Sequence, residues 1–165
     1  MDYKRKNILL IVPHMPAFDS CMPLMIRLHQ RGKVDVKIII NHRLIEIDAR
    51  LEHALKASGV PYEVKSLLRI ELFSWLQIAR SDFMLTHSDP VAYGGKFRPR
   101  DNFMKILKKN VVFIQHGMVQ QGLQTKGVLR DVWDYYSQTV LIWADLPSAA
   151  ANFLAPDVAD RMHVT

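Results

Sequence analysis

Asn7-Ile8-Leu9-Leu10-Ile11-Val12-Pro13 is the stretch on which the fold turns. Its apolar residues run without a polar break. That is the pattern of a strand covered on both faces, not of one that shows alternate residues to water. The run falls far short of the ~20 residues a membrane-spanning helix needs. Lys4, Arg5 and Lys6 precede it as basic residues precede a secretory leader. It stops at Pro13-His14, however, and no small-residue cleavage site follows. The stretch is therefore read as the first strand of a parallel sheet.

Working outward, Pro13-His14-Met15-Pro16 interrupts the strand, and Asp19 or Ser20 is positioned to cap a helix. Met22, Met25, Ile26 and Leu28 fall at helical spacing, and Gly32 ends that helix. Val34–Ile40 reads as a second strand with Val36, Ile38 and Ile40 on one face. Ile47, Leu51, Ala54 and Leu55 return to helical spacing, and Gly59 followed by Pro61 is a helix stop. Val60–Lys65 reads as a short strand, residues 71–80 as a helix and Phe83–Thr86 as a strand ending at His87-Ser88-Asp89-Pro90. Residues 102–109 read as a helix, Val111–Ile114 as a fifth strand and 118–127 as a loop. Helices are expected over 128–136 and 148–154, a sixth strand over 140–143, and a seventh strand opening at His163. Strands and helices alternate with short connections, which predicts right-handed crossovers. The expected fold class is α/β: a Rossmann-like open, mostly parallel sheet with helices on both faces. Residues 1–165 read as one domain, without repeat, linker or low-complexity tract.

Composition narrows the function classes. The formal net charge is +6, and the excess is concentrated. Lys96, Arg98, Arg100, Lys105, Lys108 and Lys109 stand against a single acid, Asp101. Such a segment suits an anionic partner: phosphates, an anionic membrane surface or nucleic acid. Tyr93, Phe97 and Phe103 are interleaved with it, yet a solvated helix face is its commonest meaning, and nucleic acid is the least favoured of the partners. Cys21 is the one cysteine, which fits a reducing, cytoplasmic compartment. Among Met22, Leu24 and Met25 it reads as a small core residue rather than a nucleophile.

Ligands of open parallel sheets bind beyond the carboxyl ends of the strands. Three strands here end in histidine-bearing turns: His14, then His87-Ser88-Asp89, then Gln115-His116-Gly117. An imidazole titrates near neutral pH and can take a proton from an acceptor hydroxyl. His116, followed by a glycine that permits a tight turn, is the sharpest candidate for a general base. A strand-end histidine can also do no more than hydrogen-bond a loop, and His29, His42, His53 and His163 read as surface or loop residues. Several chemistries lack their signatures. The spacing of Gly122 and Gly127 is followed by Val128-Leu129 rather than Lys and Ser/Thr, so no P-loop forms. No Gly-rich dinucleotide turn follows the first strand, no zinc spacing occurs, and no Gly-x-Ser-x-Gly elbow is present. No cofactor and no metal are expected.

Residues 7–40, with the Pro23-Leu24 pair in the helix and Gly32 before the second strand, resemble the opening of GT-B glycosyltransferases. Val111–Gly117 is similar to the strand and His-Gly turn of the CDP-glycerol glycerophosphotransferase and capsule-polysaccharide transferase group, and UDP-N-acetylglucosamine 2-epimerases carry a comparable turn. The resemblance departs at Met118, where the glycerophosphotransferase turn has threonine. It implies the N-terminal, acceptor-side half of a metal-independent, two-domain transferase in bacterial surface polysaccharide or teichoic-acid-like polymer synthesis. His116 would be catalytic, and His14, His87, Asp89, Gln115 and Gly117 would bind substrate. The partners implied are a nucleotide-activated sugar or alcohol donor, held mainly by a further domain, and a glycan or lipid-linked acceptor. The basic segment would meet the inner face of the membrane. The other readings are a stand-alone nucleotide- or anion-binding module without catalysis, and half of a sugar-nucleotide epimerase.

Overall fold

A computed structural model of the chain describes residues 5–87, 99–114, 137–142 and 162–164. The elements are β1 (Lys6–Val12), α1 (Met15–Arg31), β2 (Val34–Asn41), α2 (His42–Ile47), α3 (Arg50–Ser58), β3 (Tyr62–Lys65), α4 (Leu67–Phe73), α5 (Trp75–Arg80), β4 (Phe83–Thr86), α6 (Pro99–Ile106), β5 (Asn110–Ile114), β6 (Thr139–Ile142) and β7 (Met162–Val164). The described strands form one sheet in the order β3-β2-β1-β4-β5-β6-β7. Every neighbouring pair is parallel. The fold is a Rossmann-like α/β arrangement.

Strand parity sorts the core into two layers. Leu10, Val12, Val36, Ile38 and Ile40 face one way, against Cys21 and Met25 of α1 and Leu51 and Leu55 of α3. Leu9, Ile11, Ile39, Met84 and Val111 face the other way, against Ile70 of α4, Ile78 of α5 and Met104 of α6. This is why β1 has no polar alternation: both its faces are covered. Each fully buried aliphatic side chain contributes roughly 1.5–3 kcal/mol by leaving water. The two layers also fit a single crossover hand. Passing from β1 to β2 and from β4 to β5 moves in opposite directions along the sheet. Right-handed connections must then put α1 and α6 on opposite faces, and that is where they lie.

Several boundaries differ from the sequence reading. α1 starts at Met15, before Asp19 and Ser20. Pro16 sits in its first turn, where a missing N–H costs nothing because the helix would leave it unbonded. Ser20 is already inside, its hydroxyl donating to the Pro16 carbonyl at 2.7 Å. The expected single helix over 71–80 is two helices, beginning at Leu67 behind the Ser66 cap. Ser74 divides them: its buried hydroxyl donates to the Ile70 carbonyl at 2.5 Å, competing with the backbone ladder. α6 runs from Pro99 to Ile106 rather than from 102 to 109. It ends because Lys108 adopts φ 48°, in the left-handed region. Lys109 N–H and Lys108 N–H then turn back to the Met104 and Lys105 carbonyls, both at 3.0 Å. The expected helices over 128–136 and 148–154 lie outside the described residues.

Candidate functional site

The strand order reverses between β1 and β4. β1 leads to β2 and β3 on one side, while β4 leads to β5, β6 and β7 on the other. A crevice opens at such a reversal beyond the carboxyl ends of the two strands, because the chains leaving them diverge to opposite faces. β1 delivers His14 there and β4 delivers His87. The last registered pair is Leu10 with Leu85, so both strands reach this edge together.

The two imidazoles meet edge to face, their ring centroids 4.3 Å apart and their planes at 89°. His14 is the N-cap residue of α1, in extended conformation, and it is half-buried. Its ring packs on His87 rather than capping the helix. His87 is 2% exposed, so His14 is the member of the pair that a ligand reaches first. Asn41, at the carboxyl end of β2, fixes the turn that carries His14. It is buried, and its amide donates to the Pro13 carbonyl at 3.1 Å. Its Oδ1 accepts from Arg43 N–H at 3.3 Å and so caps α2. Asn41 was not singled out by sequence reasoning, although a polar residue closing an apolar strand was a visible signal. His42 follows it with Nδ1 buried and without a hydrogen-bond partner among the described residues.

The turn between β1 and α1 is poorly suited to a pyrophosphate. A dinucleotide turn offers glycines and free N–H groups at the helix start. Here Pro16 has no N–H, and Ala17 N–H is already given to the His14 carbonyl at 3.1 Å. The edge offers imidazole and amide groups instead, which handle hydroxyls and protons. Among the described residues, no three His, Cys, Asp or Glu side chains gather as metal ligands.

Of the other residues expected at the site, Asp89, Gln115, His116 and Gly117 lie outside the described residues, as do Lys96 and Arg98 of the basic segment. The remaining basic residues divide. Arg100 is 5% exposed and faces inward. Its Nε and terminal amine both reach Asp101 Oδ1 at 3.0 Å, and its other amine lies 3.6 Å from Glu71 Oε1. Lys109 Nζ donates to the Ala79 and Ser81 carbonyls at 2.7 and 2.6 Å, closing the end of α5. Lys105 is half-buried and Lys108 is exposed. Cys21 is fully buried under the sheet, and burial pushes its thiol up to about 12, so it offers no thiolate.

A groove of about 410 Å³ opens at the opposite edge, beside the amino ends of β1 and β2. Its acids are paired within the protein, Asp35 with Arg5 at 3.8 Å. Glu63 is hydrogen-bonded by Lys37 and, at 2.6 Å, paired with Lys65. These two lysines hold its carboxyl below the usual carboxylate range. The chemistry and the topology favour the histidine edge over this groove.

No family model and no curated protein sequence matches this chain.

Proposed function

We propose that this chain is the acceptor-binding domain of a metal-independent, GT-B-like transferase of bacterial surface polysaccharide or teichoic-acid-like polymer synthesis. The observation that carries the reading is the contact between His14 and His87 at the point where the strand order reverses. It is supported by the absence of a pyrophosphate cradle at the start of α1, which leaves the nucleotide-linked donor to a further domain.

In this reading an acceptor hydroxyl hydrogen-bonds to His14, whose ring is held in place by His87. Neutral imidazole is the form that accepts a proton. His116 keeps the role of base. The acceptor oxygen bonds to the donor, the nucleotide leaves with the bonding electrons, and the hydroxyl proton passes to imidazole.

The test is a titration of the 165-residue chain followed by the ring-proton resonances of its histidines. A glycerol-phosphate or oligosaccharide acceptor should move the His14 and His87 signals, and His14→Ala should remove the response. A nucleotide sugar alone should leave both unmoved. Shifts with the nucleotide and none with any acceptor would favour the stand-alone nucleotide-binding module and end the acceptor reading.

A further inference from the structure

The helix pair α4–α5 is apolar on two faces. Ile70, Ser74 and Ile78 point into the core. On the outside, Leu68 is 67% exposed, Phe73 63% and Trp75 49%, with Leu72 and Leu76 beside them. Leu68 and Leu72 stand four apart on α4, and Trp75 and Leu76 open α5 one residue after it ends, so the exposed residues cluster rather than scatter. A helix packed on a core by one side ordinarily turns charge to the other. Both α4 and α5 pack against α6, whose last residue, Ile106, is 74% exposed. Ile106 thus adds an exposed apolar side chain on the helix against which both pack.

Among the described residues, the exposed charges carried by α4, α5 and the end of α6 are cations, and the nearby acids Asp35 and Glu63, which share a groove with Leu76 and Arg80, are paired with Arg5 and with Lys37 and Lys65. Arg69, Arg80 and Lys108 are exposed. The only acid between Ser66 and Arg80 is Glu71, which is turned inward toward Arg100. No acid occurs between Asn102 and Lys109. Large apolar and aromatic side chains beside exposed cations match an interface of hydrocarbon below and anionic headgroups above. No helix among the described residues is long and apolar enough to cross a membrane. A surface of this kind lies in the plane of the headgroups.

We infer that the α4–α5 face, extended by the end of α6, docks this protein on an anionic lipid bilayer. Leu68, Phe73 and Trp75 enter the acyl boundary, and Arg69, Arg80 and Lys108 meet the headgroups. The inference rests on exposure and charge, and it stands whether or not the histidine edge binds an acceptor. α4 opens directly after the carboxyl end of β3, so the cluster begins on the sheet edge that also carries His14 and His87.

Flotation of the full chain with vesicles tests it. Binding is expected to vesicles of phosphatidylcholine with phosphatidylglycerol and not to phosphatidylcholine alone, with a blue shift of tryptophan emission that Trp75→Ser removes. Leu68→Ser with Phe73→Ser should lower binding at least about tenfold, and Arg69→Gln with Arg80→Gln about fivefold per charge. All these positions are exposed, so far-UV circular dichroism should stay unchanged. Failure to float on anionic vesicles, equal flotation on neutral ones, or full flotation of the folded Leu68/Phe73 variant would overturn the inference. So would a stable dimer of the parent chain that these serines dissociate, because the face would then belong to a second copy.

Discussion

Replacing Arg100 with methionine tests how the charge of this protein is used. Methionine keeps the length of the stem and removes the guanidinium. Arg100, Asp101 and Glu71 have side-chain exposures of 6%, 10% and 20%, so the variant leaves two carboxylates mostly out of water with no cation between them. Glu71 Oε2 already lacks a hydrogen-bond partner among the described residues. Each ion pair is worth about 4 kcal/mol of attraction at the effective dielectric of a protein, while desolvation costs several kcal/mol per ion. The intact cluster therefore nets little, and its half-removal costs much: about 3–5 kcal/mol. Against the ~5–15 kcal/mol of a typical domain, that is about a fifth or more of the total stability. Urea unfolding at neutral pH, followed by far-UV circular dichroism, measures it. Adding Glu71→Gln and Asp101→Asn removes the stranded charges and should recover most of the loss. If Arg100→Met lies within about 1 kcal/mol of the parent, Arg100 is not the buried counter-ion of this cluster. If the triple variant is as unstable as the single one, uncompensated charge is not the cause.

Two further outcomes follow from local geometry. Lys108→Gly should raise stability by about 1 kcal/mol, read as a higher thermal midpoint, because lysine at φ 48° carries the left-handed penalty that glycine avoids. A lower midpoint would mean that the stem of Lys108 packs usefully. The Cys21 thiol, raised from 9.0 to about 12 by burial, favours the protonated state in the folded chain. Its contribution is complete below pH 9 and is lost as pH rises toward 12, at about 1.4 kcal/mol per pH unit. The native chain should therefore resist alkylation at pH 8, and Cys21→Ala should flatten the alkaline fall in stability.

Local signals carried much of the fold. The unbroken apolar runs of β1, β2 and β5 located those strands within a residue or so, and Gly32 and Gly59 ended their helices in the left-handed conformation, at φ 61° and 68°. The misplaced boundaries are those where a proline or serine has two uses. Pro16 breaks a helix interior but opens α1 without cost, and Ser74 interrupts a helix only because its hydroxyl is buried against Ile70. The histidines at the ends of β1 and β4 were visible as strand-end residues. Their contact was not visible, because it depends on β4 lying beside β1, and pairing between strands some 75 residues apart leaves no mark on either one. Asn41 was missed for the same reason: its partner is the Pro13 carbonyl on a neighbouring strand end.

Counting charge along the chain merges residues that the fold separates. In sequence, residues 96–109 are one basic segment. In the structure Arg100 is internal and already balanced by two carboxylates, so it adds nothing to a field outside. Lys109 spends its hydrogen bonds on the last carbonyls of α5, where a cation is favoured by the helix dipole. Only Lys105 and Lys108, among the described residues of the segment, keep charge toward solvent. The exposed cations beside the unpartnered surface include Arg69 and Arg80 from earlier helices, and no composition window joins them to Lys108. What joins them is the packing of α4 and α5 on α6. The same packing turns Glu71 inward to meet Arg100, so the one acid carried by α4 and α5 adds no charge to their outer side. The buried cluster and the basic character of α4 and α5 are therefore linked: Arg100 takes up the carboxylates of Glu71 and Asp101, and the exposed charges left on the two helices are cations.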